Sequence, residues 1–429
     1  MDRMMRVALT TLGCKANWSD TEAVAQALAA AGLDIVDFED DAEVYVVNTC
    51  TVTALASAQS RQMLNRARKR SPAACVIAAG CYGEVARDKL VAMREVDGVF
   101  GTSDREGLIS FILERAGIQG ECAARDRAFG PVACDAQSRA RAFLKIQEGC
   151  DKACAYCIIA KARGPSRSLA PSLVVSAAKR LGEHHQEIIL VGIDLGQYGG
   201  DLSPKVRLFD LVKNLVTDER VPRIRLSSLD PKHAGAELGE IISSGGLCRH
   251  VHLSIQSGSD AVLRRMRRGY GARDVKESAD ALARAAPGIA ITGDIIAGLP
   301  GETEEDHRAT LLLLESMPIA GLHVFPFSPR EGTPAASMPG QVSCAMRRRR
   351  ASELRTMAAK KRGAFLQHLI GKSMDVIVTS READGQGMVK AFSDNAIELR
   401  LPAGRIGYGA MGAAAITRVN GVRARGEWR

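Results

Sequence analysis

The chain has 429 residues, a length that exceeds one hydrophobic core and implies two or three domains. With 46% apolar and 25% charged residues it is neither a disordered nor a fibrous chain, and no apolar run approaches a membrane span. The charged start Met1-Asp2-Arg3-Met4-Met5-Arg6 does not read as a signal core, so a cytoplasmic location is expected, where eleven Cys suggest metal or cluster ligation rather than disulfides.

Residues 6–10 read as a strand running into Leu12-Gly13-Cys14, followed by a helix over 20–31 that Gly32 stops. A second strand over 44–47 runs into Asn48-Thr49-Cys50, with a helix from about 53 to 69. A third over 76–79 runs into Gly80-Cys81. Alternating strands and helices imply an open parallel sheet, whose ligands bind beyond the carboxyl ends of the strands. Cys14, Cys50 and Cys81 each fall just past such an end. They can therefore meet at one sheet edge and ligate a cluster, unless they are buried free thiols that share this placement by chance. Cys75, at a strand start, reads as a core residue. Residues 120–137 read as a linker; Cys122 and Cys134 within it, like Cys248 and Cys344 later, sit in no motif and read as incidental thiols.

A strand over 142–146 leads directly into Gly149-Cys150-Asp151-Lys152-Ala153-Cys154-Ala155-Tyr156-Cys157. In this CxxxCxxC run, Cys150, Cys154 and Cys157 can hold three irons of a 4Fe-4S cube and leave the fourth open. A structural zinc would want four ligands, and no fourth Cys or His lies at knuckle distance. The spacing resembles the signature of radical S-adenosylmethionine (SAM) enzymes, in which the open iron binds the amino and carboxylate groups of SAM and one electron cleaves it to a 5'-deoxyadenosyl radical. Further strands over 188–191, 224–226, 252–255, 289–296 and 322–325, with helical stretches between them, make a βα repeat of about six units. Barrels of this kind carry their chemistry on loops at the C-terminal ends of strands. Gly192-Ile193-Asp194, Ser227-Ser228, Gln256-Ser257-Gly258 and Gly298-Leu299-Pro300-Gly301 all follow strand ends. Each alone reads as turn chemistry; facing one mouth, they form a SAM pocket. Lys161, Arg163 and Arg167 read as solvated loop charges that a nucleic acid could meet.

The net charge of +9 is uneven: residues 341–429 hold 17 Lys or Arg against 7 Asp or Glu. This tail suits nucleic acid, although Arg347-Arg348-Arg349-Arg350 reads equally well as a solvated helix face.

Taken together, Thr11-Leu12-Gly13-Cys14-Lys15-Ala16-Asn17, Val47-Asn48-Thr49-Cys50-Thr51-Val52-Thr53, Ala79-Gly80-Cys81, Leu144-Lys145-Ile146-Gln147-Glu148-Gly149-Cys150, Arg163-Gly164-Pro165-Ser166-Arg167-Ser168, Leu253-Ser254-Ile255-Gln256-Ser257-Gly258-Ser259 and His323-Val324-Phe325-Pro326-Phe327-Ser328 resemble the methylthiotransferase family of radical SAM enzymes. The resemblance covers nearly the whole chain. It implies an α/β chain of three parts: an N-terminal open parallel sheet domain (3–119), a central partial (βα)6 TIM-like radical SAM barrel (136–366) and a small C-terminal TRAM-like β-barrel that grips RNA (371–429). Short strands over 375–380, 387–391, 397–401 and 414–419 suit the last. Two 4Fe-4S clusters are implied, one on Cys150, Cys154 and Cys157 to cleave SAM and an auxiliary one on Cys14, Cys50 and Cys81 to carry or supply sulfur. One SAM would methylate that sulfur and a second would generate the radical that abstracts hydrogen. SAM contacts are implied at the backbone of Tyr156, the Gly192 to Asp194 turn, Ser254 and Gln256, with Asp294 and Phe325 nearby. Where relatives usually carry Pro-Tyr after the cluster loop, this chain has Ala160-Lys161.

Gly13-Cys14-Lys15 and the stretch over 162–168 look like the branch acting on N6-threonylcarbamoyladenosine at position 37 of tRNA. The isopentenyladenosine branch more often shows Gly-Cys-Gln-Met, and the branch modifying an aspartate of ribosomal protein S12 shows Gly-Cys-Pro-Lys. Implied partners are tRNA and an electron donor such as flavodoxin or ferredoxin, with the sulfur source open. A non-catalytic iron–sulfur RNA regulator would need the cysteines and basic tail but no SAM pocket.

Overall fold

The computed structural model describes residues 4–118, 132 and 135–429. Cys122, Cys134 and most of the expected linker lie outside them.

Residues 4–118 form a parallel five-stranded sheet covered on both faces. Its centre is built from Arg6–Thr11, Val44–Thr49 and Cys75–Gly80. The last two are buried at every position, which is why they read as unbroken apolar runs. Asp34–Val36 and Gly98–Val99 add the edges; three and two residues leave no periodicity to read. Helices Lys15–Ala30 and Arg105–Arg115 bury Val24, Leu28, Leu108 and Ile112 on one face, while Ala54–Arg70 packs Leu64 and Ala67 on the other. Cys75 belongs to the first of these cores, as a strand-start cysteine should.

Six parallel strands then follow in chain order. Ala142–Lys145, Glu187–Val191 and Arg223–Leu226 form one ladder, and His250–Gln256, Ala290–Ala297 and Gly321–Pro326 a second. Single parallel bridges, Ile224 to Leu247 and Leu229 to Leu253, join the two into the expected open barrel, with one continuous apolar core.

The helix Cys344–Gln367 crosses from this barrel to the C-terminal one, and its Arg run is not a free basic face. Arg350 is buried on Glu302 at 2.9 Å, Arg347 donates to the Phe327 carbonyl at 2.7 Å, and Arg349 pairs with Glu304 at 2.6 Å. Neither reading of the run, nucleic-acid footprint or solvated face, includes these partners, because they lie from 20 to 48 residues away in sequence.

Five strands close the C-terminal barrel in the order Ser373–Val378, Met388–Ser393, Glu398–Pro402, Arg423–Trp428, Met411–Asn420. The sequence reading lacked Arg423–Trp428, whose alternation of Arg, Ala and Gly hides a strand that pairs on both sides. Glu187 attaches this barrel to the central one. Its wholly buried carboxylate takes Arg223 and Arg225 at 2.7 Å each. The remaining donors of those guanidiniums reach across to the carbonyls of Ser393 (2.9 Å), Asp394 (3.0 Å) and Asp375 (3.3 Å).

Burial alone would raise the Glu187 carboxyl, but Arg225, Arg223 and Arg141 pull it down to about 2. A depressed folded-state value contributes stability above the unfolded value of 4.5 and loses it as pH falls towards 2. The shift corresponds to roughly 3 kcal/mol. Denaturant unfolding across this range is expected to show Glu187→Gln less stable than wild type at pH 7, with the difference narrowing as pH falls below 4.5; a constant difference would contradict the assignment.

Candidate active site

Cys14 is the residue before the first turn of helix Lys15–Ala30, Cys50 follows strand Val44–Thr49, and Cys81 opens the helix Cys81–Val85. The helix starts five residues before the sequence reading placed it, because Cys14 is extended yet offers no capping side chain to recognise. Asn17, in its first turn, gathers the thiols. The Asn17 Oδ1 lies 3.8 Å from Cys14 Sγ and 3.6 Å from Cys81 Sγ, while its Nδ2 donates to the carbonyls of Leu12 and Thr49 at 2.9 and 3.0 Å. Gly13, at φ +99°, brings Cys50 in: a Cβ there would stand 2.8 Å from Cys50 Sγ.

Behind the thiols lies a buried ion network. Arg163 Nη2 donates to Asn17 Oδ1 at 2.5 Å and meets Asp20 at 3.1 Å, while Nη1 donates to Glu148 at 2.6 Å. Lys145 pairs with both carboxylates, and Arg105 reaches Glu148 at 3.3 Å and Asp20 at 3.4 Å. Burial would raise the Asp20 and Glu148 carboxyls; the three surrounding cations instead hold them below their ordinary values. Arg163 is thus neither a solvated charge nor a tRNA contact, being 3% exposed. Lys161 is exposed and donates to the Gly332 carbonyl at 2.6 Å.

The second cysteine set leaves the barrel at Gly149, whose φ of +73° and near approach to the Pro165 carbonyl, 1.9 Å from a built Cβ, admit only glycine. The Cys150 N–H then bonds the Gly164 carbonyl at 3.0 Å, and the Ala155 N–H that of Met266 at 3.0 Å. Arg268 donates to Cys154 Sγ at 3.2 Å and the Ile159 N–H to Cys157 Sγ at 3.4 Å. All described cysteines are free thiols. Burial pushes Cys150 up to about 11 and Cys81 up to about 12, and raises Cys50 and Cys157. Buried thiols with N–H groups aimed at sulfur suit a bound metal, which supplies the positive charge that a buried thiolate lacks. Both donor sets fit an iron–sulfur cluster with three protein ligands.

One cavity of about 1220 Å³ unites the two sets. Cys14 opens into it from the N-terminal sheet, and Cys150, Cys154 and Cys157 from the barrel; Cys50 and Cys81 are buried behind Cys14. Tyr156, Gly192, Asp194, Ser254, Gln256, Asp294 and Phe325 all line it, with Gln256 in the left-handed region at φ +66°. Asp194 pairs with Lys152 at 2.6 Å and Asp294 with His252 at 3.0 Å and His323 at 3.3 Å. The Asp294 carboxyl, which burial would raise, is held well below the usual carboxylate range by those imidazoles. Lys152, Asp230, Arg268, His252 and His323 are cavity residues that sequence reasoning missed, since none stands in a motif whose spacing calls for a charge. The far wall comes from the C-terminal helix and barrel through Arg362, Phe392, Ala396 and Val422. Arg362 and Val422 also border a groove of about 590 Å³ on that barrel, lined by Lys390, Arg400, Arg418, Arg423 and Arg425. No helix among the described residues is long and apolar enough to cross a membrane.

An open parallel barrel with a CxxxCxxC loop at its mouth, facing a second cysteine-bearing domain, defines a radical SAM enzyme with an auxiliary site. Residues 144–314 match the radical SAM superfamily, and residues 6–101 match the family described as uncharacterized protein family UPF0004. The chain is 37% identical over 403 residues, 91% of this chain and 89% of the relative, to threonylcarbamoyladenosine tRNA methylthiotransferase MtaB of Bacillus subtilis. It is 35% identical, over 88% of this chain and 86% of the relative, to ribosomal protein uS12 methylthiotransferase RimO of Desulforudis audaxviator. The radical SAM methyltransferase TsrM of Kitasatospora setae shares the fold at a TM-score of 0.54 and 16% identity, over 78% of this chain and 77% of that one. The chain belongs to the radical SAM methylthiotransferases of the MtaB type. It is an enzyme of methylthio transfer whose cofactors are SAM and two 4Fe-4S clusters.

Removing one partner from a buried ion network strands the others. Arg163→Met is therefore expected to cost roughly 3–5 kcal/mol of unfolding free energy, whereas Arg348→Ala, at an exposed position of the Arg run, stays within about 0.5 kcal/mol. Chemical denaturation of the two variants checks both.

Proposed function

We propose that this enzyme inserts a methylthio group at C2 of N6-threonylcarbamoyladenosine at position 37 of tRNA, giving 2-methylthio-N6-threonylcarbamoyladenosine. The observation that carries the reading is the single cavity into which Cys14 and the Cys150, Cys154, Cys157 loop both open, bounded on its far side by the basic C-terminal barrel. Similarity to a relative of that name supports the substrate.

In this reading Cys150, Cys154 and Cys157 ligate the cluster that cleaves SAM, and Cys14, Cys50 and Cys81 ligate the auxiliary one. Once bound, these groups supply the methyl, the sulfur and the radical of the transfer. The chain's own residues do the positioning. Tyr156, the Gly192 to Asp194 turn, Ser254, Gln256, Asp294 and Phe325 border the SAM side. Lys152 and Arg268, fixed on Asp194 and Asp230, hold the loop that carries the cysteines. The groove of Lys390, Arg400, Arg418, Arg423 and Arg425 suits phosphates, giving salt-dependent tRNA affinity, while an unstacked anticodon-loop base enters the cavity. That groove favours RNA over a ribosomal protein. The three units at 3–119, 136–366 and 371–429 thus hold sulfur, radical and RNA respectively, with a flavodoxin or ferredoxin as reductant in the cytoplasm.

Nucleoside mass spectrometry of threonylcarbamoyladenosine-containing tRNA, after anaerobic incubation with the reconstituted enzyme, SAM, sulfide and a reductant, is expected to show a species heavier by one methylthio group in place of hydrogen. Its absence beside abundant 5'-deoxyadenosine would redirect the assignment to isopentenyladenosine tRNA or ribosomal protein S12. Cys14→Ala is expected to abolish that product while 5'-deoxyadenosine formation continues; loss of both together would contradict separate roles for the two cysteine sets.

A further inference from the structure

We infer that Lys15 forms a carboxylate subsite in the cavity and receives the free α-carboxylate of the threonyl group on the target base. The inference rests on the substrate reading above and names the residue that would make it selective.

Lys15 follows Cys14 directly and lines the cavity, exposed to that space rather than to bulk solvent. Among the described residues its side chain has no hydrogen bond and no ion pair. Its charged neighbours do not neutralise it. Arg225 and Arg141 line the same wall and each already has a partner: Arg225 has Glu187 and the carbonyls of Ser393 and Asp394, and Arg141 has Glu187 at 3.3 Å and the Phe392 ring 4.1 Å from its guanidinium. The carboxylates whose field reaches Lys15 are Glu187 and Asp294. Glu187 is shared among Arg141, Arg223 and Arg225, and Asp294 is held by His252 and His323. This wall therefore carries surplus positive charge, and of Lys15, Arg141 and Arg225 it is Lys15 whose side chain is left without a partner.

A threonylcarbamoyl base brings one anion into the cavity, on the far end of its N6 substituent. An isopentenyl substituent brings none, and would shield the ammonium from water without replacing its hydrogen bonds. Sites built around a polar partner reject analogues that lack it far more strongly than apolar pockets reject an extra group. Because Lys15 adjoins Cys14, the same contact would hold the base on the side of the cavity that bears the auxiliary cysteines.

The test compares anticodon-loop tRNA carrying open threonylcarbamoyladenosine with the same tRNA whose carboxylate is masked, as the methyl ester or the cyclised form. Methylthiolation is followed by mass spectrometry in wild type, Lys15→Met and Lys15→Arg. Wild type is expected to prefer the open acid, and Lys15→Met to lose about tenfold or more in kcat/KM on the acid with little change on the masked forms, erasing the preference. Lys15→Arg is expected to restore it. Iron and acid-labile sulfide content separate lost recognition from lost clusters. Equal use of acid and ester by wild type overturns the proposal without any variant. An equal loss on both in Lys15→Met would assign Lys15 to a tRNA phosphate instead, and overturns it too. If wild type cleaves SAM but modifies neither tRNA, the substrate reading falls and this inference with it.

Discussion

Everything at this active site depends on a cluster of five charges that water does not reach. Asp20 comes from the first helix, Arg105 from the last helix of the N-terminal sheet, and Lys145, Glu148 and Arg163 from the barrel strand and the loop around the second cysteine set. Three cations against two carboxylates leave one positive charge in excess, and Arg163 also donates from Nη2 to Asn17, the residue beside Cys14 and Cys81. The network thus holds the two domains together and faces the thiols with a cation. Burying so many charges is costly unless all are matched, so it contributes more to a unique mutual orientation than to net stability. Two cluster sites that must exchange a group across one cavity need that fixed orientation.

A second clamp works by the same principle at the opposite end. Glu187 orients Arg223 and Arg225, and these bond backbone carbonyls of the C-terminal barrel rather than its side chains. The barrel that borders the basic groove is therefore seated against the N-terminal ends of the strands that border the cavity, and Arg362 and Val422 belong to both surfaces.

Much of this was legible in the sequence. Cys150, Cys154 and Cys157 lie within eight residues, so their spacing alone specifies a shared ligand, and Cys14, Cys50 and Cys81 are legible because a parallel sheet places all its strand ends on one edge. The central strands of the N-terminal sheet and the first two barrel strands follow from apolar runs that burial on both faces demands, whereas His250–Gln256 and Ala290–Ala297 alternate between core and cavity. The closing strand Arg423–Trp428 was not legible, since its inward positions are Ala424 and Gly426 rather than large apolar residues.

By itself, then, the sequence determined the order of the elements, the two cysteine sets and the excess of positive charge at the C-terminal end, all of which local spacing and composition encode. Only the tertiary structure decided which charges are spent and which are free. Arg163 and Arg350 read as solvated cations and are buried in ion pairs, as is Arg225 within its strand, while Lys15, legible only as part of a motif, stands unpaired in the cavity. The reason is that a charge is neutralised by groups within a few ångströms, and here those groups lie from 15 to 143 residues away along the chain.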